Sequence, residues 1–184
     1  MNLAEWISQD LAEAGELARR VEVAQAEGMC ELIQEARRVF VTGRGRTGLV
    51  MEMFAMRLMQ LGLEAKVVGE ATTPAISAGD LLVAGSGSGE TSGVLSAARR
   101  ARQVGARVVA LTAQPASSLG HLAECVVVLP GETTKVMLEQ SSRMPLGSVL
   151  EQVMLVFLDS LAASLAHRLG ETNQTMMARH ANLE

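Results

Sequence analysis

Two glycine-rich stretches hold the residues best suited to chemistry: Gly43-Arg44-Gly45-Arg46-Thr47-Gly48, and LLVAGSGSGETS from Leu81 to Ser92. In the second, a short apolar run breaks into alternating glycines and hydroxyls, and a helical pattern starts near Thr91. Glycine lets a backbone turn sharply and approach a ligand closely. The helix that follows aims its unpaired N–H groups and positive dipole end back at the loop. Ser86, Gly87, Ser88 and Thr91 then offer donors that suit phosphate oxygens. The loop has no lysine, so the GxxxxGK[ST] pattern of a nucleotide triphosphatase is absent. It predicts a cradle for one phosphate. The purely structural alternative is a Gly/Ser turn with Ser88 or Thr91 as a helix N-cap.

The first stretch also reads as a GxGxxG, with Glu70 placed as the acidic residue of a dinucleotide site would be. Two arginines and a second hydroxyl-rich loop weigh against that reading. If both loops open on one edge of a sheet, Gly45, Arg46 and Thr47 meet Ser86, Ser88 and Thr91 around a single anion. Otherwise Arg44 and Arg46 are solvated surface charge.

Positioning such loops requires strands that end beneath them. Strand-like apolar runs occur at 39–41, 65–68, 81–84, 108–111 and 126–129. Helical segments at 49–61, 91–104 and 117–123 separate several of them, the first two closed by Gly62 and Gly105. This alternation predicts an α/β fold with a five-stranded parallel sheet in flavodoxin-like order, covered by helices on both faces, with ligands at the carboxyl ends of the strands. Residues 3–35 have helical spacing broken near Gly28, giving one long helix or two. The stretch 130–144 has no clear period and reads as a loop. A helix over 148–169, ended by Gly170, is apolar on most sides, which places it at the centre of the core or in a subunit interface.

The 184 residues fit one domain: an N-terminal helical segment (1–36), a sheet core (37–130) and C-terminal helices (145–184). A formal net charge of −4, three Phe, one Trp and no Tyr leave neither a basic footprint nor a stacking platform, which argues against nucleic acid. The N-terminus has no signal-peptide pattern, and the longest apolar stretch, 153–158, stops at Asp159, so no membrane partner is expected. Cys30 and Cys125 are isolated and no His or Cys has metal-ligand spacing. A cytoplasmic, metal-free protein without a cofactor is the expectation.

Together GRGRTG, LLVAGSGSGETS, the GE-x-x-TP from Gly69 to Pro74, PLGSVLEQ and the terminal ARHANLE resemble the sugar isomerase (SIS) domain family, over nearly the whole chain. The SGSGET loop is common to that class and says only sugar phosphate. PLGSVLEQ and ARHANLE resemble its 6-phospho-3-hexuloisomerase branch, which belongs to formaldehyde-fixing ribulose monophosphate metabolism. One position departs: Thr47 stands where the family usually has Ser, keeping the hydroxyl and adding a methyl. The resemblance implies interconversion of D-arabino-hex-3-ulose 6-phosphate and D-fructose 6-phosphate through an enediolate. Isomerases of arabinose 5-phosphate or sedoheptulose 7-phosphate, and a non-catalytic sugar-phosphate sensor, are the rivals.

The reaction needs a base, and a carboxylate whose charged form is disfavoured by burial suits it without a metal. Glu151, in the first turn of the apolar helix, is on its own either that base or an acid complementing the helix dipole; the resemblance assigns it the base. Glu90, next to the bound phosphate, is expected to face away as a first-turn helix acid. His121 and His167 read as structural. His180 lies in ARHANLE, where the resemblance implies a histidine acting at the substrate oxygens, a role an imidazole suits near neutral pH. The apolar helix and a stripe along 3–21 predict a homo-oligomer. The resemblance implies a tetramer, and the short final segment beyond Gly170 is expected to carry His180 over a neighbour, completing the adjacent subunit's pocket.

Overall fold

The computed structural model describes residues 1–131 and 142–183, so most of the 130–144 stretch lies outside the described residues. The chain forms α1 (Leu3–Ala18), α2 (Val23–Glu35), β1 (Val39–Thr42), α3 (Gly45–Gln60), β2 (Ala65–Val67), β3 (Leu81–Gly85), α4 (Ser92–Gln103), β4 (Arg107–Thr112), α5 (Ser118–Leu122) and β5 (Cys125–Val128). A single 3-10 turn, Pro145–Gly147, then leads into α6 (Ser148–Leu169) and the short α7 (Asn173–Met177).

The strands pair in parallel in the order β2-β1-β3-β4-β5. That is the flavodoxin-like order expected, and it differs from the 3-2-1-4-5-6 order of the dinucleotide fold. Its topological switch point lies between β1 and β3, whose register runs from Val39 opposite Leu81 to Thr42 opposite Ala84. The two glycine-rich loops leave the carboxyl ends of those two strands.

Alternation along the strands divides the core. Val39, Val41, Leu81, Val83, Val109 and Leu111 face a layer made by α1, α2, α3 and α6. Phe40, Leu82, Ala84, Val108 and Ala110 face α4 and α5. Both faces are covered, which is why the strands read as unbroken apolar runs.

Two expectations need correction. The N-terminal helices part at 19–22, after the C-cap Arg19, and not near Gly28. Gly28 sits inside α2, where a Cβ would lie in ordinary contact, 3.7 Å from Cys125 Sγ, so it does not break the helix. Helix α3 begins at Gly45, four residues before the apolar period shows. Helix α6 owes its all-round apolarity to the core: Val149, Leu150, Val153, Met154, Phe157, Leu161 and Leu165 are buried. By length and composition it could cross a membrane, yet half of its most apolar stretch is buried within the chain. Apolar side chains left outside form rows on α1 (Leu3, Ile7, Leu11) and α3 (Leu49, Met53, Met56), while α6 itself exposes Val156 and Leu169.

Candidate active site

The GRGRTG loop is a tight turn fixed by backbone contact. A Cβ on Gly43 would lie 2.9 Å from the Gly48 Cα and N, so neither position leaves room for a side chain. Thr47 is buried in the first turn of α3, and its methyl lies against Gly85, where an added Cβ would be 3.0 Å away. The extra methyl of Thr47 therefore fills the seam between the two loops, holding α3 to the end of β3.

The second loop has the hydrogen-bond pattern of an anion site. Its carbonyls point inward: Ser86 O accepts from Gly89 N, Gly87 O from Ala113 N, and Gly89 O from Leu119 N. The N–H groups of Gly87, Ser88 and Thr91 donate to no backbone acceptor among the described residues. Such a set of open donors before a helix N-terminus matches an anionic ligand. Gly89 adopts φ +65, and a Cβ there would collide with Ser117 Oγ at 1.9 Å, so the turn requires glycine.

Thr91 occupies the backbone N-cap position of α4, but its side chain makes no capping bond. Its hydroxyl pairs with buried Ser86 Oγ at 2.8 Å. Half-buried Ser88 accepts from Glu90 N, at 3.3 Å, and from no other donor among the described residues. Neither hydroxyl caps α4, so the structural alternative of an N-cap does not account for them. Glu90 lies just before α4, not in its first turn. It faces away as expected, accepting the Ser118 N–H at 2.6 Å at the start of α5. That backbone bond is the main reason its carboxyl is held below the usual range.

Across the same opening, Glu151 sits in the first turn of α6, after the chain has turned through Leu146 at φ 54. Both of its carboxylate oxygens face the GRGRTG loop. Arg46 Nε donates to Oε2 at 3.1 Å and Thr47 Oγ1 to Oε1 at 3.5 Å. The carboxylate is mostly covered, at 17% exposure, while Arg46 is open to solvent at 62%. Arg46, expected at the anion, turns to Glu151 in the chain as folded. Arg44 goes the other way, and its guanidinium lies against Gly93 in the first turn of α4.

The structure thus brings together Gly45, Arg46, Thr47, Ser86, Gly87, Ser88, Thr91 and Glu151, and leaves His180 apart. Arg179, beside it, donates to the Gln60 carbonyl at 3.0 Å and to Glu171, at the far end of α3. Thr47 stands at the near end of the same helix, about 20 Å away at 1.5 Å per residue. His180 is exposed there, its Nδ1 3.0 Å from the Ala181 carbonyl oxygen. Gly93 is the residue that sequence reasoning missed; a glycine in the second position of a helix was its only signal.

Comparison with known proteins places the chain in a family. The SIS domain family matches residues 32–158. A 3-hexulose-6-phosphate isomerase of Mycobacterium gastri is 44% identical over 94% of this chain and 86% of its own. The 3-hexulose-6-phosphate isomerase of Bacillus subtilis is 37% identical over the full length of both chains. Among solved structures, a Methanococcus jannaschii protein superposes with a TM-score of 0.82 at 30% identity, over 97% of both chains. For that protein a molecular function of 3-hexulose-6-phosphate isomerase is inferred from its crystal structure.

Proposed function

Because this chain belongs to the SIS domain family, and matches 3-hexulose-6-phosphate isomerases over most of its length, we propose that it interconverts D-arabino-hex-3-ulose 6-phosphate and D-fructose 6-phosphate. The observation that carries this is the meeting, at the switch point between β1 and β3, of an open donor cradle with a covered carboxylate. One suits the phosphate and the other the carbons being isomerised.

The phosphate rests on the Gly87, Ser88 and Thr91 N–H groups and on the hydroxyls of Ser86, Ser88 and Thr91, with Gly45 and Thr47 closing the other side. The ketose chain then extends toward α6. Glu151 takes the proton from C2 of the hexulose phosphate, acidified by the C3 carbonyl. The electron pair moves into a C2–C3 enediolate, and Glu151 returns the proton to C3 as the carbonyl forms at C2. One carbon is oxidised as its neighbour is reduced, so the step balances without an external electron carrier. The hexulose has its O6 phosphorylated and cannot close a five-membered ring, so ring opening is needed only for fructose 6-phosphate.

His180 is proposed to move protons between O2 and O3 from a neighbouring subunit. The length of α3 separates it from Glu151 of its own chain. The outward apolar rows of α1 and α3 favour a homo-oligomer, proposed here as a homotetramer, because surfaces of that kind are buried in assemblies. The setting proposed is the cytoplasm, as a step of formaldehyde-fixing ribulose monophosphate metabolism. Purified protein assayed without added cofactor on hexulose 6-phosphate, arabinose 5-phosphate and sedoheptulose 7-phosphate tests the reading. Turnover confined to either of the last two overturns it.

A further inference from the structure

We propose that the two arginines of GRGRTG divide the substrate between them, Arg44 supplying the positive charge at the phosphate and Arg46 working at the reacting carbons beside Glu151. The proposal rests on the sugar-phosphate isomerase reading and assigns roles that reading leaves open. The separation starts in the backbone. Arg44 is extended at φ −136, whereas Gly45 takes φ +59, so the chain reverses between the two arginines and sends their side chains to opposite sides of the opening.

Arg44 lands on α4. A Cβ on Gly93 would lie 3.1 Å from its Nε and 3.5 Å from its Nη2, so the guanidinium is in contact with the second residue of the helix. Its hydrogen bond is a long one, 3.4 Å, to the Gly43 carbonyl. Among the described residues no carboxylate pairs with it, so none of them neutralises its charge. A cation placed this way adds to the helix dipole and the open N–H groups, just where a phosphate dianion needs counter-charge. Gly93 gives it room: a Cβ there would crowd the guanidinium at 3.1 Å and make it shift by a few tenths of an ångström.

Arg46 is already neutralised by Glu151, at 3.1 Å. Drawn off to the phosphate, it would leave the carboxylate without that partner. Left in place, it has a task that the reaction creates. When the proton passes from C2 to Glu151, the negative charge leaves the carboxylate and appears on an enediolate oxygen of the sugar bound against it. A guanidinium on that carboxylate can follow the charge over a short distance, and stabilisation of this kind acts on the transition state more than on bound substrate.

Titration calorimetry with inorganic phosphate and with fructose 6-phosphate, together with steady-state kinetics, tests the division on Arg44→Gln and Arg46→Gln. Arg44→Gln is expected to weaken both ligands by about 10- to 100-fold, with its kinetic loss in KM. Arg46→Gln is expected to bind inorganic phosphate as the wild type does, with its loss in kcat. Phosphate affinity lost in Arg46→Gln and kept in Arg44→Gln overturns the proposal, and so do equal losses in both. Wild-type protein that binds neither ligand sinks the isomerase reading and the division with it. Glu151→Gln with unimpaired turnover removes the role given to Arg46 while leaving the phosphate role of Arg44 to calorimetry.

Discussion

Arg46 and Glu151 are 105 residues apart in the chain and 3.1 Å apart in space, joined Nε to Oε2. The pair ties the loop after β1 to the first turn of α6. With Arg46 largely exposed, solvent screens the attraction and little stability comes from it. Its effect is on orientation: with Thr47 on the other oxygen, it fixes the plane of the carboxylate.

Glu151→Gln is expected to lower turnover by roughly 100-fold or more, the usual range for losing a positioned base, while fructose 6-phosphate still binds. The amide keeps the shape but cannot accept the proton. Exchange of the C3 proton of fructose 6-phosphate with deuterated solvent, followed by NMR, should disappear in the same variant. Exchange at the wild-type rate would place the base elsewhere.

Ser88→Ala should weaken fructose 6-phosphate by roughly 1.5–3 kcal/mol, the range for a hydrogen bond to a charged group. Ser88 is half-buried and among the described residues accepts a single long hydrogen bond, from Glu90 N, so the melting temperature should hardly move. Ser86→Ala breaks the buried pair with Thr91 and should cost stability as well as affinity. Unchanged calorimetric affinity in both variants would refute the cradle.

Subunit mixing tests His180. Glu151→Gln and His180→Ala are each expected to be inactive as pure assemblies. Hybrids made by dissociation and reassembly should regain part of the activity, since some pockets combine an intact Glu151 with an intact His180. Verified hybrids without recovery would mean that each chain uses its own His180 or that the residue has no catalytic role.

Asp80 sets an acid limit on stability at the opposite edge of the sheet. Burial works against its charge, but bonds from Arg38, Ser77 and Arg37 outweigh that and bring its pKa down to about 2. A carboxylate depressed from an unfolded value of about 3.9 contributes fully above that pH, and its contribution fades as pH falls toward 2. Asp80→Asn should remove roughly 2 kcal/mol at neutral pH, read from the urea midpoint, and should flatten the loss of stability between about pH 4 and 2.

The fold was legible where local chemistry punctuates the chain. β1, β3 and β4 are apolar runs cut off by glycine, serine or threonine, β5 runs out at Leu129-Pro130, and α6 is bracketed by Pro145 and Gly170. The break after α1 falls at Arg19-Arg20-Val21-Glu22, which contains neither glycine nor proline, so periodicity could not find it. The start of α3 was hidden because its glycines answer the contact of Gly43 with Gly48 and not helix propensity. The site was legible as two loops and a glutamate. What each arginine does was not, since it depends on the sign of φ at Gly45 and on the space over Gly93, and neither leaves a pattern in the sequence. The separation of His180 from Glu151 follows from topology and appears only once α3 is laid between them.

That separation has a consequence for how the protein behaves in solution. On the assignment proposed here, a chain that has parted from its neighbours holds the cradle and the carboxylate but not the imidazole. Activity per chain then depends on how crowded the chains are. It falls on dilution below the dissociation constant of the assembly, and it returns on concentration with a lag that shortens as more protein is added. The affinity of the subunits for one another becomes a setting on catalytic output.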